Sequence, residues 1–237
     1  MPRRNLATPP VERWQPPPLG RPSPLRTLVD LQLASILKDL RPILQELKGT
    51  LLDAGCGGQP YRHLIPSTVT YQGLDTVEAK NKFGYSRPDT MYVEGNKWPI
   101  STGTIDAVLC TEVLEHTEEP AEVLQEISRC LRTGGRLIMT VPLSARWHFI
   151  PFDYWRFTPS GVERLLNSAG FENIVINSRG NPTTVALHKI VTLVASYRWR
   201  GIPLLPIAGI AILLGHLTLR ADWGDDCLGY TVCADKA

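Results

Sequence analysis

The sequence predicts a three-layer α/β domain, a mainly parallel sheet of seven strands with helices on both faces. Three observations lead there. Short apolar runs alternate along the chain with stretches of helical periodicity, the pattern of strands joined by crossover helices. The 237 residues are 43% apolar and 20% charged, with a formal charge of +2. A chain of this length buries roughly 70–75% of its extended surface, enough for one core without staples. The near-neutral balance supplies no basic field, so nucleic acid is not expected as a partner.

Residues 1–26 stand apart. They carry eight of the twenty prolines and five arginines against the single Glu12. Proline fixes φ and lacks an amide donor, which predicts an extended or disordered, solvated arm before a domain over 27–237. The arm has no apolar run of the secretory kind. The five cysteines (Cys56, Cys110, Cys130, Cys227, Cys233) are odd in number and scattered. Neither a disulfide frame nor a metal site is expected from them, and the compartment reads as cytoplasmic.

In order along the chain, Leu25–Leu47 repeats apolar residues at helical spacing, with a break expected at Pro42. Strands follow at Thr50–Ala54, Thr70–Leu74, Thr90–Val93, Ile105–Cys110 and Leu137–Val141. Val123, Leu124, Ile127 and Leu131 form one face of a helix, with Glu118 and Glu119 in its first turn and Gly134-Gly135 beyond its end. Thr158 and Pro159 start another helix that runs to Gly170. Phe171–Ile176 and Gly229–Ala234 read as the sixth and seventh strands.

Leu51-Leu52-Asp53-Ala54-Gly55-Cys56-Gly57-Gly58 is a buried strand ending in an acid and a glycine turn. Glycines there let the backbone approach a ligand closely. A dinucleotide fingerprint would need glycine at position 60, which is Pro60, so a dehydrogenase is disfavoured. Asp75 follows about twenty residues later at a strand end, where a carboxylate can accept both ribose hydroxyls of an adenosine.

These stretches resemble the class I S-adenosylmethionine-dependent methyltransferases, together with Gly73-Leu74-Asp75, Ile105–Cys110, Glu112-Val113-Leu114-Glu115-His116 and Leu131–Ile138. Gln59-Pro60-Tyr61 is similar to a subgroup with Gly-x-x-Pro-Tyr after the first glycines. The resemblance implies a Rossmann-like fold whose last strand is antiparallel, with S-adenosylmethionine as cofactor. It places Gly55 and Gly57 under the methionine part and Asp53 beside it. Asp75 falls on the ribose, Glu94 near the adenine amino group, and Cys110 to Glu112 beside the cofactor. Two departures stand out: Gln59 occupies a position where the family often has glycine, and Glu94 one where it usually has Asp. Glu115 reads equally well as an exposed charge at a helix start.

Trp147–Thr158 carries six aromatic rings among His148, Asp153 and Arg156, and reads as either an acceptor-binding loop or a hydrophobic lid. His148, Asp153 and Arg156 are the candidates for acceptor contact, and His116 and His148 for proton removal. The implied activity is direct methyl displacement onto a small-molecule, glycan or lipid-type acceptor. The alternative is an inactive cofactor-binding scaffold or interaction protein.

Between the sixth and seventh strands, about residues 180–226 form an insertion with no acid from Asn173 through Ala221. Val185–Tyr197 reads as an amphipathic helix, with Ala186, Ile190, Leu193, Val194 and Tyr197 opposite His188, Lys189, Thr192 and Ser196. Gly201–Leu219 is uncharged. Strand pairing on either side opposes a single membrane crossing. Residues 183–220 are therefore expected to form an interfacial or re-entrant hairpin with Arg179, Lys189, Arg198, Arg200 and Arg220 near anionic headgroups, or a helical pair docked on the domain or in a dimer interface.

Overall fold

The computed structural model describes residues 19–95, 97–149, 151–221 and 225–237. Most of the proline-rich arm lies outside these residues. Its last part is helical: Ser23 accepts from the Arg26 amide and starts α1 (Pro24–Val29). The expected break at Pro42 falls instead at Asp30, whose carboxylate caps α2 (Leu31–Gln45) through the Leu33 amide at 3.1 Å. Pro42 sits inside the last turn of α2, where it withholds an amide from the Lys38 carbonyl without ending the helix.

The strands are β1 (Thr50–Ala54), β2 (Thr70–Thr76), β3 (Thr90–Val93), β4 (Ile105–Thr111), β5 (Leu131–Pro142), β6 (Phe171–Arg179) and β7 (Gly229–Lys236). They form one sheet in the order β3-β2-β1-β4-β5-β7-β6. β1 to β5 pair in parallel, while β7 runs antiparallel to both β5 and β6. The helices α3 (Val77–Phe83), α4 (Pro120–Cys130) and α5 (Pro159–Ser168) complete the crossovers. Val123, Leu124 and Ile127 of α4 and Val162 and Leu166 of α5 pack on one sheet face. Ile36, Leu37, Leu40 and Leu44 of α2 cover the other.

Gly134-Gly135 does not cap α4. That helix ends at Cys130, and β5 begins at once with Leu131 opposite Ile105. The register then jumps to Arg136 opposite Ala107, so the glycines form a bulge, with Gly134 at φ 70°. Of the two expected first-turn acids, Glu119 is the N-cap and Glu118 precedes it, so Glu122 is the acid inside the turn.

The insertion folds as α6 (Pro182–Ser196), a 3₁₀ stretch over Arg198–Leu204 and α7 (Leu205–Thr218). The Asn181 side-chain amide donates to the Thr218 and Ala221 carbonyls at 2.8 Å each, closing the hairpin at its base. Ala208, Ala211 and Gly215 of α7 turn inward, and a Cβ on Gly215 would collide with Leu31 of α2. The larger residues Ile207, Ile210, Leu213 and Leu217 face outward, each more than half exposed. α6 matches expectation only in part: Val194 is buried and Lys189 exposed, but Ile190, Leu193 and Tyr197 are exposed, and His188 and Thr192 line the cavity.

Candidate active site

The order of strands reverses between β1 and β4, and ligand crevices in open α/β sheets lie at such a point, beyond the carboxyl ends of the strands. A cavity of about 750 Å³ lies there. Gly55, Gly57, Asp75, Cys110 and Glu112, all expected at the site, line it. Gly55 takes φ 74°, and a Cβ on it would collide with Val113; the turn therefore requires glycine.

Asp75 is 8% exposed and accepts from the Gly57 and Thr76 amides at 2.7 Å each. Burial pushes its carboxyl above the ordinary range, opposed by those two hydrogen bonds. Each oxygen retains a second lone pair for a ligand hydroxyl. Cys110 is fully buried, and burial, reinforced by Glu115, keeps its thiol protonated.

Gln59 explains how the loop keeps its shape without glycine. It adopts φ 58° and is fully buried, with its side chain turned towards β3. Nε2 donates to Asp89 at 2.8 Å and Thr90 at 3.0 Å, bonds that offset the left-handed backbone.

Two expected cofactor residues do not line the cavity. Asp53 is 1% exposed, and its carboxylate accepts from the Tyr71 hydroxyl at 2.7 Å on the neighbouring strand. Burial pushes Asp53 up to about 7, opposed by that hydrogen bond and reinforced by Asp75. Glu94 is exposed, while its neighbours Val93 and Gly95 form the lining.

The aromatic segment crosses the cavity. Phe149 meets Phe83 at the end of α3 with ring centroids 4.8 Å apart. His116 and His148 both line the cavity, their rings edge to face at 4.7 Å. Burial, then the neighbouring His148, lowers His116 to about 4, leaving it neutral near pH 7. Asp153 does not line the cavity. It accepts from Arg156 at 2.6 and 2.8 Å and from the His148 amide at 2.9 Å. Burial opposes its ionisation, but these partners hold it well below the usual carboxylate range. Asp153 and Arg156 thus hold His148 and each other, in place of the expected acceptor contact.

Sequence reasoning missed the α2 and α6 contributions, since nothing local marks them. Leu33 and Ile36 of α2 and His188, Val191 and Thr192 of α6 line the cavity. It also placed Arg179 at a headgroup. Arg179 is 1% exposed and donates to Glu112 at 2.7 Å and to the Val141 carbonyl at 3.1 Å. Glu115 is fully buried rather than an exposed charge. Burial, then Glu112, pushes its carboxyl well above the ordinary range.

Comparison with solved structures gives the same architecture. A SAM-dependent methyltransferase from Archaeoglobus fulgidus superposes with a TM-score of 0.57 at 14% identity, over 90% of this chain and 98% of that one. The [4+2]-cyclase SpnF does so at 0.55 and 22% identity, over 86% and 82%. One fold thus carries proteins named for different reactions. Among curated proteins, the thiol S-methyltransferase TMT1B of Rattus norvegicus is 32% identical over 117 residues, 45% of this chain and 47% of its own length. The chain spans about half or less of the curated relatives it matches. A family model described as a methyltransferase domain matches residues 25–175, well over half of the sequence, and the chain therefore belongs to the methyltransferase domain family.

Proposed function

We propose that this chain transfers a methyl group from S-adenosylmethionine to an apolar small-molecule or lipid-type acceptor. One observation carries the reading: a single cavity runs from the Gly55–Gly57 turn and Asp75 to His116, His148 and the apolar side of α2. The glycine turn and the second lone pairs of Asp75 suit the methionine and ribose parts of the cofactor. S-adenosylmethionine, when bound, supplies an electrophilic methyl group.

The chain's own residues then position the acceptor. Val29, Leu33, Ile36 and Val191 offer it an apolar wall, which favours a lipid-type molecule over a glycan. Phe83 and Phe149 exclude water by meeting across the cavity. His116 and His148 line the same cavity, which supports a role for both in handling the acceptor. Holding acceptor and methyl group in line is the larger task.

The exposed Ile and Leu face of α7 and the acid-free insertion support docking on an anionic membrane surface, from which an apolar acceptor reaches the cavity beside α6. Five unpaired cysteines support a cytoplasmic setting.

The test is incubation of the protein with methyl-labelled S-adenosylmethionine and a total cell extract, followed by solvent partition and mass spectrometry. Labelled product in the organic phase is expected. Label confined to the aqueous phase overturns the apolar acceptor, and cofactor binding without labelled product assigns the chain as a scaffold.

A further inference from the structure

We infer that Glu115, His116 and His148 form a site for a divalent transition-metal ion beside the acceptor position. The inference rests on the methyl-transfer reading only for what the ion does; the site itself stands on side-chain geometry. Glu115 and His116 belong to the 3₁₀ turn Leu114–His116 that follows β4, and His148 to the loop that follows β5. One ligand atom from each residue lies within 4.8 Å of the others.

In the neutral form both imidazoles carry their hydrogen on Nδ1, which makes Nε2 the nitrogen that bears the lone pair. His116 Nδ1 lies 2.6 Å from the Phe152 carbonyl, which only accepts, so Nδ1 carries the hydrogen. His148 Nδ1 lies 2.9 Å from the Arg146 carbonyl and 3.2 Å from Asp153 Oδ2, again both acceptors. A carboxylate or carbonyl behind the distal ring nitrogen is the arrangement that orients histidines bound to metals. Asp153 is in turn fixed by Arg156, so the backing carboxylate cannot rotate away.

Glu115 supplies the independent observation. Its side chain is fully buried, and neither carboxylate oxygen has a hydrogen-bond partner among the described residues. Buried carboxylates are otherwise paired, bonded or bound to a metal. Glu115 Oε1 lies 3.7 Å from His116 Nε2. Neighbouring ligands around a zinc ion with bonds of ~2.0–2.1 Å are ~3.3 Å apart, so side-chain closure of under about an ångström brings this pair into place.

Two imidazoles and one carboxylate suit Zn²⁺, Fe²⁺ or Mn²⁺ better than the all-oxygen preference of Mg²⁺ or Ca²⁺. Three protein ligands leave a coordination position open, the condition for a catalytic ion. Because His116 and His148 line the cavity, that position takes a hydroxyl or thiol of the acceptor and orients it.

The test is zinc content of the full chain, measured by mass spectrometry after loading with ZnCl₂ and gel filtration. About one zinc per wild-type chain is expected, with at least a tenfold loss in Glu115→Gln and in His148→Ala. Zinc retained equally by wild type and Glu115→Gln, or by neither, overturns the site. Should a variant fail to fold, the wild type alone decides: its thermal midpoint rises with ZnCl₂ and falls back with a chelator, and no rise overturns the site. Calorimetry with S-adenosylhomocysteine on the same protein reports the cofactor end separately. Zinc uptake without nucleoside binding sinks the methyl-transfer reading and leaves the metal site standing; the converse does the opposite.

Discussion

Arg179 Nη2 and Glu112 Oε1 lie 2.7 Å apart, joining the residue that opens the hairpin to the end of β4 beside the cavity. The guanidinium is fully buried, and Glu112 holds φ 53°, a left-handed conformation uncommon outside glycine. Gln32 of α2 also donates to Glu112, at 3.2 Å. The pair thus fixes β4, β6 and α2 around one carboxylate.

Removing Arg179 strands that carboxylate in a partly buried position. Breaking a buried pair costs about 3–5 kcal/mol, and the remaining exposure of Glu112 argues for the lower end. Arg179→Met is therefore expected to lower unfolding stability by about 3 kcal/mol in urea titrations. A loss below about 1 kcal/mol shows that the pair is dispensable.

Asp53 makes stability fall as pH rises. Its folded-state value of about 7 lies above the ordinary 3.8, so between these values the folded chain holds a proton that the unfolded chain releases. The stabilisation is complete below the lower value and is lost as pH rises through the higher one, with a slope up to about 1.4 kcal/mol per pH unit. Asp53→Asn keeps an acceptor for the Tyr71 hydroxyl and should flatten that fall. Chemical denaturation at pH 5 and pH 8 checks it; an equal decline in both proteins removes the assignment.

Asp75 and Glu94 should behave oppositely towards the cofactor. Losing the Asp75 carboxylate removes charged hydrogen bonds inside the cavity, each about 1.5–3 kcal/mol. Asp75→Ala is expected to weaken S-adenosylmethionine by at least about 100-fold in calorimetry. Glu94→Ala, at an exposed position off the lining, should change affinity by less than about threefold. Reversed effects would relocate the adenosine.

α7 carries the membrane prediction. Leu213 and Leu217 are each 64% exposed, and burying a leucine in an apolar medium is favourable by roughly 1.5–3 kcal/mol. The wild type should float with vesicles containing phosphatidylglycerol. The double variant Leu213→Glu, Leu217→Glu should remain in solution while binding S-adenosylhomocysteine normally. A wild type that stays monodisperse and vesicle-free refutes the docking face.

The amino-acid order by itself determined the sheet and its ligand edge. Apolar runs at Thr50–Ala54 and Ile105–Cys110 have no stable place except inside a covered sheet, and Gly55 at a strand end leaves the backbone open to a ligand. What tertiary structure alone decided is which neighbour each face meets. Helical spacing groups Ala208, Ala211 and Gly215 on one side of α7 and the large aliphatics around them, but hydrophobicity would turn the larger residues inward. At Gly215 the close approach of Leu31 leaves no room for a side chain, and the helix sits with its small residues inward and its large ones outward. Likewise Asp53 faces Tyr71, Arg179 reaches Glu112, and Glu115 stands beside two histidines because strand register and a loop from β5 bring them together. Local pattern fixes a side chain's direction relative to its own element; its partner depends on residues far away in the chain.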